Sequence, residues 1–560
     1  MQTLREARSD RALSRRDRPI DGDLERLHLL LHSGCVRLLR ERGGRDGIRI
    51  VLTSPLVHID GTNLTIALVK RIAVGDTDVK LAENVRPLIQ AGRDLVERTV
   101  KAGEQVYGVT TGFGRLKSVM IEPKDAFALQ RNLVLSHCTG VGEPLAEDAT
   151  RASVLLRAHS LARGYSGVRE EIIDLLLEML NRDVWPIIPS KGSVGASGDL
   201  APLAHMALVL IGEGEAVFAS KRMKGGDALK AAKLQPVTLS YKEGLALING
   251  TQIMTGIGAL TAYRADVACK AADIAGAMSL EAFFGTAGAF DERLNALRPH
   301  PGQASVAANM RHLLRGSGIL ASHVDCERVQ DPYSFRCIPV VHGAVRDALH
   351  AVENTLVIEM NSVTDNPIVI PQDGSFLTGG NFHGEPVALA MDYLSMALTE
   401  LGSIAERRIY KLLEGLEGLP LFLSEGHGPH SGYMLAQYTA AALVSENKTL
   451  SYPASVDSIP TSAGQEDHVS MGTISARQCE QVVGNLENVI AIELLEAAQA
   501  LDFRAPLTCG QGTAVAHRLV RERVPHLRED RNLSDDIAKA RELVASGELV
   551  RAVEAQIGAL

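Results

Sequence analysis

At 560 residues the chain is long enough for several hydrophobic cores, and its formal net charge of −9 disfavours nucleic acid or an anionic membrane as a partner. Aromatic residues make up only 4% while Ala, Leu and Gly abound, a composition that suits closely packed long helices better than a sheet-rich protein. No uninterrupted apolar run reaches the length of a membrane span, and the cysteines, Cys35, Cys138, Cys269, Cys326, Cys337, Cys479 and Cys509, include no C-x-x-C pair and read as reduced, cytoplasmic thiols.

Residues 1–47 are arginine-rich, but Glu6, Asp10, Asp17, Asp21 and Asp23 argue against a transit peptide, and the segment is read as an extension. Within it Leu24, Leu27, Leu31, Cys35 and Leu38 fall at helical spacing and predict a short amphipathic helix. Ile48 to Ile59, β-branched and containing Pro55, predicts one or two short strands, and Asp60-Gly61 marks a turn before a helix from about Leu64. Tyr107 to Gly114, YGVTTGFG, is a glycine-punctuated loop but neither a dinucleotide nor a P-loop fingerprint, since Lys117 stands where a third glycine would fall and no Gly-Lys-Ser/Thr follows. Helical stretches are predicted over 125–139 and 151–180, then over Leu200 to Ile211.

Asn249 sits in an apolar segment, and a buried amide costs on the order of 1 to 3 kcal/mol unless it finds a partner. Further helices are predicted from Tyr263 to Phe290, along the face Val341, Val345, Ala348, Val352 and Leu356 to about Met360, from the Gly379–Pro386 stretch past Arg408, from Tyr433 to about Leu450, and up to about Leu501. Helices of that length point to a bundle. Ser534 is a fair N-cap for a charged C-terminal helix containing Ile537. His427 and His430 lack further ligands nearby, so no metal site is expected.

The densest chemistry lies at Ile187 to Ala204, IIPSKGSVGASGDLAPLA. Gly192, Ser193, Gly195, Ala196, Ser197 and Gly198 contribute almost no volume and leave the backbone free to fold tightly. If the Gly198 amide nitrogen meets the Ala196 carbonyl carbon, a five-membered ring can close with loss of water. Loss of a second water from Ser197 then leaves an exocyclic methylidene, an electrophile that no ordinary side chain supplies. A serine-hydrolase elbow is excluded because G-x-S-x-G around Ser197 needs glycine at 199, where Asp199 stands.

The run Gly192 to His205, GSVGASGDLAPLAH, resembles the signature of the histidine and phenylalanine ammonia-lyase family. That resemblance implies a mainly α fold: a long antiparallel helical bundle with a smaller mixed N-terminal region carrying the prosthetic-group loop. It divides the chain into an extension at 1–47, an N-terminal region at 48–255, a central bundle at 256–515 and a C-terminal helical segment at 516–560. It implies methylidene-imidazolone (MIO) formed from Ala196, Ser197 and Gly198, with no metal or dissociable cofactor, and a homotetramer with shared sites. Tyr107 would be the general base, and Asn249 and Tyr333 would orient the amine and the prosthetic group. Arg336, whose planar fork suits a carboxylate, would fix the acid, with Gln330 lining the same pocket and Phe382 matching the family's active-site phenylalanine.

Ser136-His137 and Glu466 resemble the histidine-specific branch, so the expected reaction is L-histidine to trans-urocanate and ammonia. Pro339-Val340 departs from the family's usual Pro-Gln next to the carboxylate clamp. The alternatives are a phenylalanine or tyrosine ammonia-lyase or 2,3-aminomutase of the same family, and a non-catalytic helical scaffold. A fumarase or aspartase type lyase is disfavoured because its G-S-S-x-M-P-x-K-x-N loop is missing.

Overall fold

Good helix formers fill most of this chain, and the strands among the described residues are short, two to five residues each. The computed structural model describes residues 36–40, 48–52, 55–112, 120–121, 126–324, 328–426 and 428–560. The predicted mainly α architecture is the one adopted, in two units. The first comprises Met1–Leu260, Leu356–Pro386 and Asp457–Thr473; the second comprises Thr261–Thr355, Val387–Val456 and Ile474–Leu560. Among the described residues, Cys138, Cys269, Cys337, Cys479 and Cys509 are free thiols.

In the first unit, β1 (Val36–Arg40) pairs antiparallel with β2 (Ile48–Leu52). Leu38 is therefore in a strand, not in the amphipathic helix its spacing suggested, and the other positions of that pattern lie outside the described residues. Three to four residue spacing in so short a segment does not separate helix from strand when a partner strand follows closely. β3 (Leu56–Ile59) runs parallel to β4 (Asp78–Leu81), joined by α1 (Ile66–Ala73), whose N-cap Thr65 accepts the Leu68 N–H. α2 (Arg86–Ala102) ends at Gly103 in the left-handed region, φ 68°.

After it, Val106 and Val109 pack with Leu95, Val96 and Val369, which pins the loop carrying Tyr107. A fully buried aliphatic side chain such as Val109 contributes about 1.5 to 3 kcal/mol, and the half-buried Val106 less. The Thr110 hydroxyl adds a bond to the Glu104 carbonyl at 2.6 Å.

α3 (Ala126–His137) precedes β5 (Val141–Pro144). The stretch predicted helical over 151–180 is two helices, α4 (Glu147–Leu161) and α5 (Glu170–Asn181). The break falls at Gly164 and Gly167, with φ of 77° and 65°; a Cβ on Gly164 would stand 2.7 Å from the Leu88 carbonyl carbon. β6 (Trp185–Pro186) joins β8 (Glu215–Phe218) and β9 (Lys221–Lys224) in a small sheet, while β7 (Pro189–Lys191) pairs with β5. The apolar α6 (Leu200–Leu210) is buried on nearly every face. α7 (Gly225–Ala231) and α8 (Glu243–Ile248) lead to α9 (Gln252–Ala282), which starts well before Tyr263; a 3₁₀ turn then covers Ala287–Phe290. The hairpin of β10 (Ile368–Ile370) and β11 (Ser375–Leu377) also belongs to the first unit.

The long helices α11 (Ile338–Met360), α12 (Glu385–Leu413), α13 (Met434–Leu450) and α14 (Gly472–Asp502) follow the predicted runs within a few residues, with α10 (Pro301–Leu313) before them. Val345, Ala348, Val352 and Leu356 are buried, as their helical spacing requires. α12 is long and apolar enough by composition to cross a membrane, yet it carries Asp392, Glu406 and Arg408, all buried inside the protein. Arg408 grips Glu493 of α14 through two bonds of 2.5 and 2.9 Å. α15 (Gln511–Arg523), α16 (Leu533–Ala545) and α17 (Glu548–Ile557) close the chain. The N-cap of α16 is Asn532, which accepts the Ser534 N–H at 3.1 Å, so Ser534 is the capped residue and not the cap.

Candidate active site

The loop before α6 is held by contacts that only glycine permits. Gly198 has φ 75°, and a Cβ there would lie 2.1 Å from the Gly250 carbonyl oxygen. Two backbone rungs cause that approach: Asp199 N–H donates to Gly250 O at 2.7 Å, and Gly250 N–H donates to Ser197 O at 3.3 Å. Asn249 Nδ2 donates to the same Ser197 oxygen at 3.0 Å, which answers half of this buried amide's requirement; its Oδ1 is buried without a hydrogen-bond partner.

Asp199 bolts three segments together. Its Oδ2 accepts the Ile253 and Met254 amides of the first turn of α9, at 3.0 and 2.9 Å, and its Oδ1 accepts the Ser193 hydroxyl at 3.1 Å and the Thr473 hydroxyl. Burial pushes the Asp199 carboxyl up to about 6 against the opposing pull of these hydrogen bonds.

Ser197 faces a cavity of about 660 Å³ lined also by Tyr107, His137, Ala196, Asn249, Phe382 and Glu466. Gly198 is buried behind it. Glu466 spans the space: Oε1 accepts the Ser197 hydroxyl at 3.2 Å and Oε2 accepts the Thr461 hydroxyl at 2.7 Å. His137, at the end of α3, places Nδ1 at 2.8 Å from the Leu133 carbonyl, so Nδ1 carries the proton and Nε2 the lone pair. Burial holds the His137 pKa below its ordinary value, opposed by that carbonyl and by the Glu466 charge. Gln330, Tyr333 and Arg336 belong to the second unit and are not among the side chains lining this cavity. There the Arg336 guanidinium lies over the Tyr333 ring at 4.4 Å, Tyr333 is 71% exposed, and Arg336 Nε has no hydrogen-bond partner.

Motif reading did not single out His383 and His468, whose rings stack at 5.5 Å on the cavity wall. With Glu385 they form the one group of three metal-ligand side chains among the described residues, their donor atoms within 4.8 Å of one another. Both His383 nitrogens already face the protein, Nδ1 accepting the Glu385 N–H at 3.3 Å and Nε2 lying 3.4 Å from the His468 carbonyl. The pairing of two histidines from stretches 85 residues apart leaves no local signal in the sequence. Asp199 stands at the start of α6 but makes no side-chain cap bond there; its carboxylate serves the distant first turn of α9, which no local pattern announces.

The glycine-strained Ala196–Gly198 loop, with Asn249 on its Ser197 carbonyl, thus shares one cavity with Tyr107, His137 and Glu466. Residues 64–522 match the aromatic amino acid lyase family. The chain belongs to that family. It is 51% identical to a histidine ammonia-lyase of Alkaliphilus oremlandii over 499 residues, covering 89% of this chain and 98% of the relative. Among solved structures, histidine ammonia-lyase from Trypanosoma cruzi superposes with a TM-score of 0.84 at 40% identity, covering 90% of this chain and 96% of the other. Tyrosine aminomutase from Streptomyces globisporus superposes with a TM-score of 0.86 at 39% identity, covering 90% and 99%.

Proposed function

We propose that the chain is a carbon–nitrogen lyase that eliminates ammonia from L-histidine to give trans-urocanate. The observation that carries the reading is the meeting of Ser197, His137 and Glu466 in one cavity. The Ala196–Gly198 segment fits the methylidene-imidazolone group: Gly198 leaves the space of a Cβ to the Gly250 carbonyl, and two donors already converge on Ser197 O. When formed, that group supplies the electrophile that turns the substrate amine into a better leaving group.

The remaining work falls to side chains. Tyr107 is the proposed base for a β-proton; a phenol of pKa about 10 is mostly neutral at working pH, so the site must favour its anion. With Nδ1–H committed to Leu133, His137 offers its Nε2 lone pair, and Glu466 offers a carboxylate. Two acceptors suit an imidazole that bears N–H donors. A carboxylate beside that ring also favours its protonated form, which draws electron density from the β-carbon and makes its protons easier to remove.

We place the protein in the cytoplasm as a homotetramer with shared sites. In that assembly Arg336, Tyr333 and Gln330 of a neighbouring copy supply the carboxylate clamp and face the prosthetic group; the exposure of Tyr333 and the unpartnered Arg336 Nε support this.

The likeness to a tyrosine aminomutase keeps one second reading, a lyase or 2,3-aminomutase acting on a carbocyclic aromatic substrate. The deciding experiment offers L-histidine, L-phenylalanine and L-tyrosine in parallel and follows the absorbance of the conjugated acrylate, with β-amino acids sought among the products. Conversion of histidine alone is expected. Conversion of tyrosine or phenylalanine in preference would replace the histidine reading.

A further inference from the structure

A guanidinium lies one peptide behind the Ser197 carbonyl. Arg157 stands on α4 with no solvent exposure, and its Nη1 donates to the Asn249 carbonyl oxygen at 2.7 Å. The other end of that same peptide, the Gly250 N–H, donates to Ser197 O. Arg157, the Asn249–Gly250 peptide and the Ser197 oxygen therefore form one line of hydrogen bonds in which each donor is polarised by the group behind it.

The surroundings leave this charge weakly neutralised. Arg157 Nε and Nη2 have no hydrogen-bond partner. Asp365, the carboxylate that attracts it, is itself bonded to the buried Lys242 ammonium at 2.6 Å. Burial brings the Arg157 pKa down to about 10, which still leaves the group charged at neutral pH. Gly250 is part of the arrangement, since a Cβ there would stand 3.0 Å from Arg157 Nη1 and closer still to Gln252 and Thr364. A structural purpose for Arg157 would be met by an ordinary ion pair; here the cation is aimed at a peptide whose N–H ends on the reacting residue.

We propose that Arg157 is a positioning residue whose buried charge strengthens an oxyanion site made at the Ser197 carbonyl by the Gly250 N–H and Asn249 Nδ2. The inference rests on the reading that Ala196–Gly198 closes into the electrophilic ring.

Negative charge gathers on Ser197 O at two moments. In the second dehydration the Ser197 Cα–H bond breaks and its proton passes to water. The electron pair moves toward the carbonyl oxygen, then returns to form the Cα–Cβ double bond as the hydroxyl departs with a proton as water. When a nucleophile later adds to the methylidene carbon, the double-bond pair moves through Cα onto the same oxygen. Donors fixed in advance at that oxygen lower both barriers.

The test compares the full-length chain with Arg157→Gln and Arg157→Lys, and with Arg157→Met as a second neutral variant should Gln not fold. Two quantities are read: the mass of the peptide containing Ala196–Gly198, and the rate at which borohydride delivers hydride to the folded, ring-bearing fraction, with Cα then taking a proton from water. The unchanged chain and the lysine variant are expected to lose two waters. The neutral variants are expected to accumulate the species short of one water, or to take up hydride at least about tenfold more slowly where the ring is complete, since the charge acts through a peptide and not directly. Complete loss of two waters with hydride uptake at the unchanged rate in a neutral variant would overturn the role of Arg157 alone. A lysine variant as slow as the neutral ones would also overturn it, because charge would then not be the operative property. An unchanged chain that has lost no water would overturn the ring reading, and this inference with it.

Discussion

The Ser197 hydroxyl donates to Glu466 Oε1 at 3.2 Å, joining positions 269 residues apart. In the unreacted chain the carboxylate is occupied by a hydroxyl that the second dehydration would expel as water, after which Glu466 Oε1 faces the cavity with an acceptor to spare. The same carboxylate thus stands first beside the maturing loop and then beside the substrate. Glu466→Gln keeps the shape and removes the charge. L-histidine conversion is expected to fall by roughly a hundredfold to ten-thousandfold, the range for a group acting on proton movement, while the two-water loss at Ala196–Gly198 persists. Urocanate absorbance and peptide mass read the two effects separately; conversion of histidine at an undiminished rate would remove Glu466 from the imidazole site.

Gly198→Ala tests the steric argument. The added methyl would sit 2.1 Å from the Gly250 oxygen and 2.3 Å from its carbonyl carbon, both backbone atoms that cannot swing aside, in a residue whose φ is 75°. Relieving that clash would shift the backbone that has to bring the Gly198 nitrogen to the Ala196 carbonyl carbon, so the variant is expected to retain the mass of the unmodified peptide and to melt lower, with a stability loss of about 1 to 3 kcal/mol. A variant that loses two waters as readily as the parent would show that the backbone crowding plays no part in closure.

The legible part of the fold was the long helices, because a face such as Val345, Ala348, Val352 and Leu356 repeats for enough turns to outweigh chance. Short elements were less legible: Leu38 is decided by pairing with Ile50, a contact that helical spacing cannot register, and the cap of α16 shifted by two residues because Asn and Ser serve equally well. Tyr107, His137, Asn249, Phe382 and Glu466 were picked out through motif resemblance, not periodicity, and they come from five separate stretches of the cavity wall. Arg157 carried no signal at all. Every residue of α4 from Ala149 to Leu161 is buried, so no polar face marks it, and its partner lies 92 residues away.

The ion pair of Lys242 and Asp365 has both side chains fully buried and a contact of 2.6 Å. Burial drives the Lys242 pKa down, and the Asp365 charge and hydrogen bond hold it up. Removing one partner leaves the other charge in the protein interior, which costs about 3 to 5 kcal/mol. Asp365→Asn would also leave Arg157 without its attracting carboxylate. The variant is expected to show a lower midpoint in urea by an amount corresponding to that range, and Lys242→Met/Asp365→Leu together is expected to recover much of it. A double variant as unstable as the sum of the single ones would mean that the two residues do not act as a pair.

Acid sensitivity is set in part by His159, which is fully buried on α4 and bonds to Asn361 through Nε2 at 2.9 Å. Burial brings its pKa from the ordinary 6.5 down to about 4, outweighing the Asn361 bond. Between those values the unfolded chain binds a proton that the folded chain refuses, so stability falls as pH falls through that window. The contribution is fully present above pH 6.5 and lost below about 4, and a shift of this size corresponds to about 3 kcal/mol. Asp199 acts in the opposite sense: its carboxyl, raised to about 6, takes up a proton in the folded chain before it does so in the unfolded one, so acidification relieves its burial. Because Asp199 is common to both proteins, comparing the parent with His159→Gln isolates the histidine. The parent's melting temperature is expected to drop more steeply than the variant's between pH 6.5 and 4.5, although the variant starts lower for loss of packing. Parallel curves across that interval would show that His159 takes no part in the acid limb.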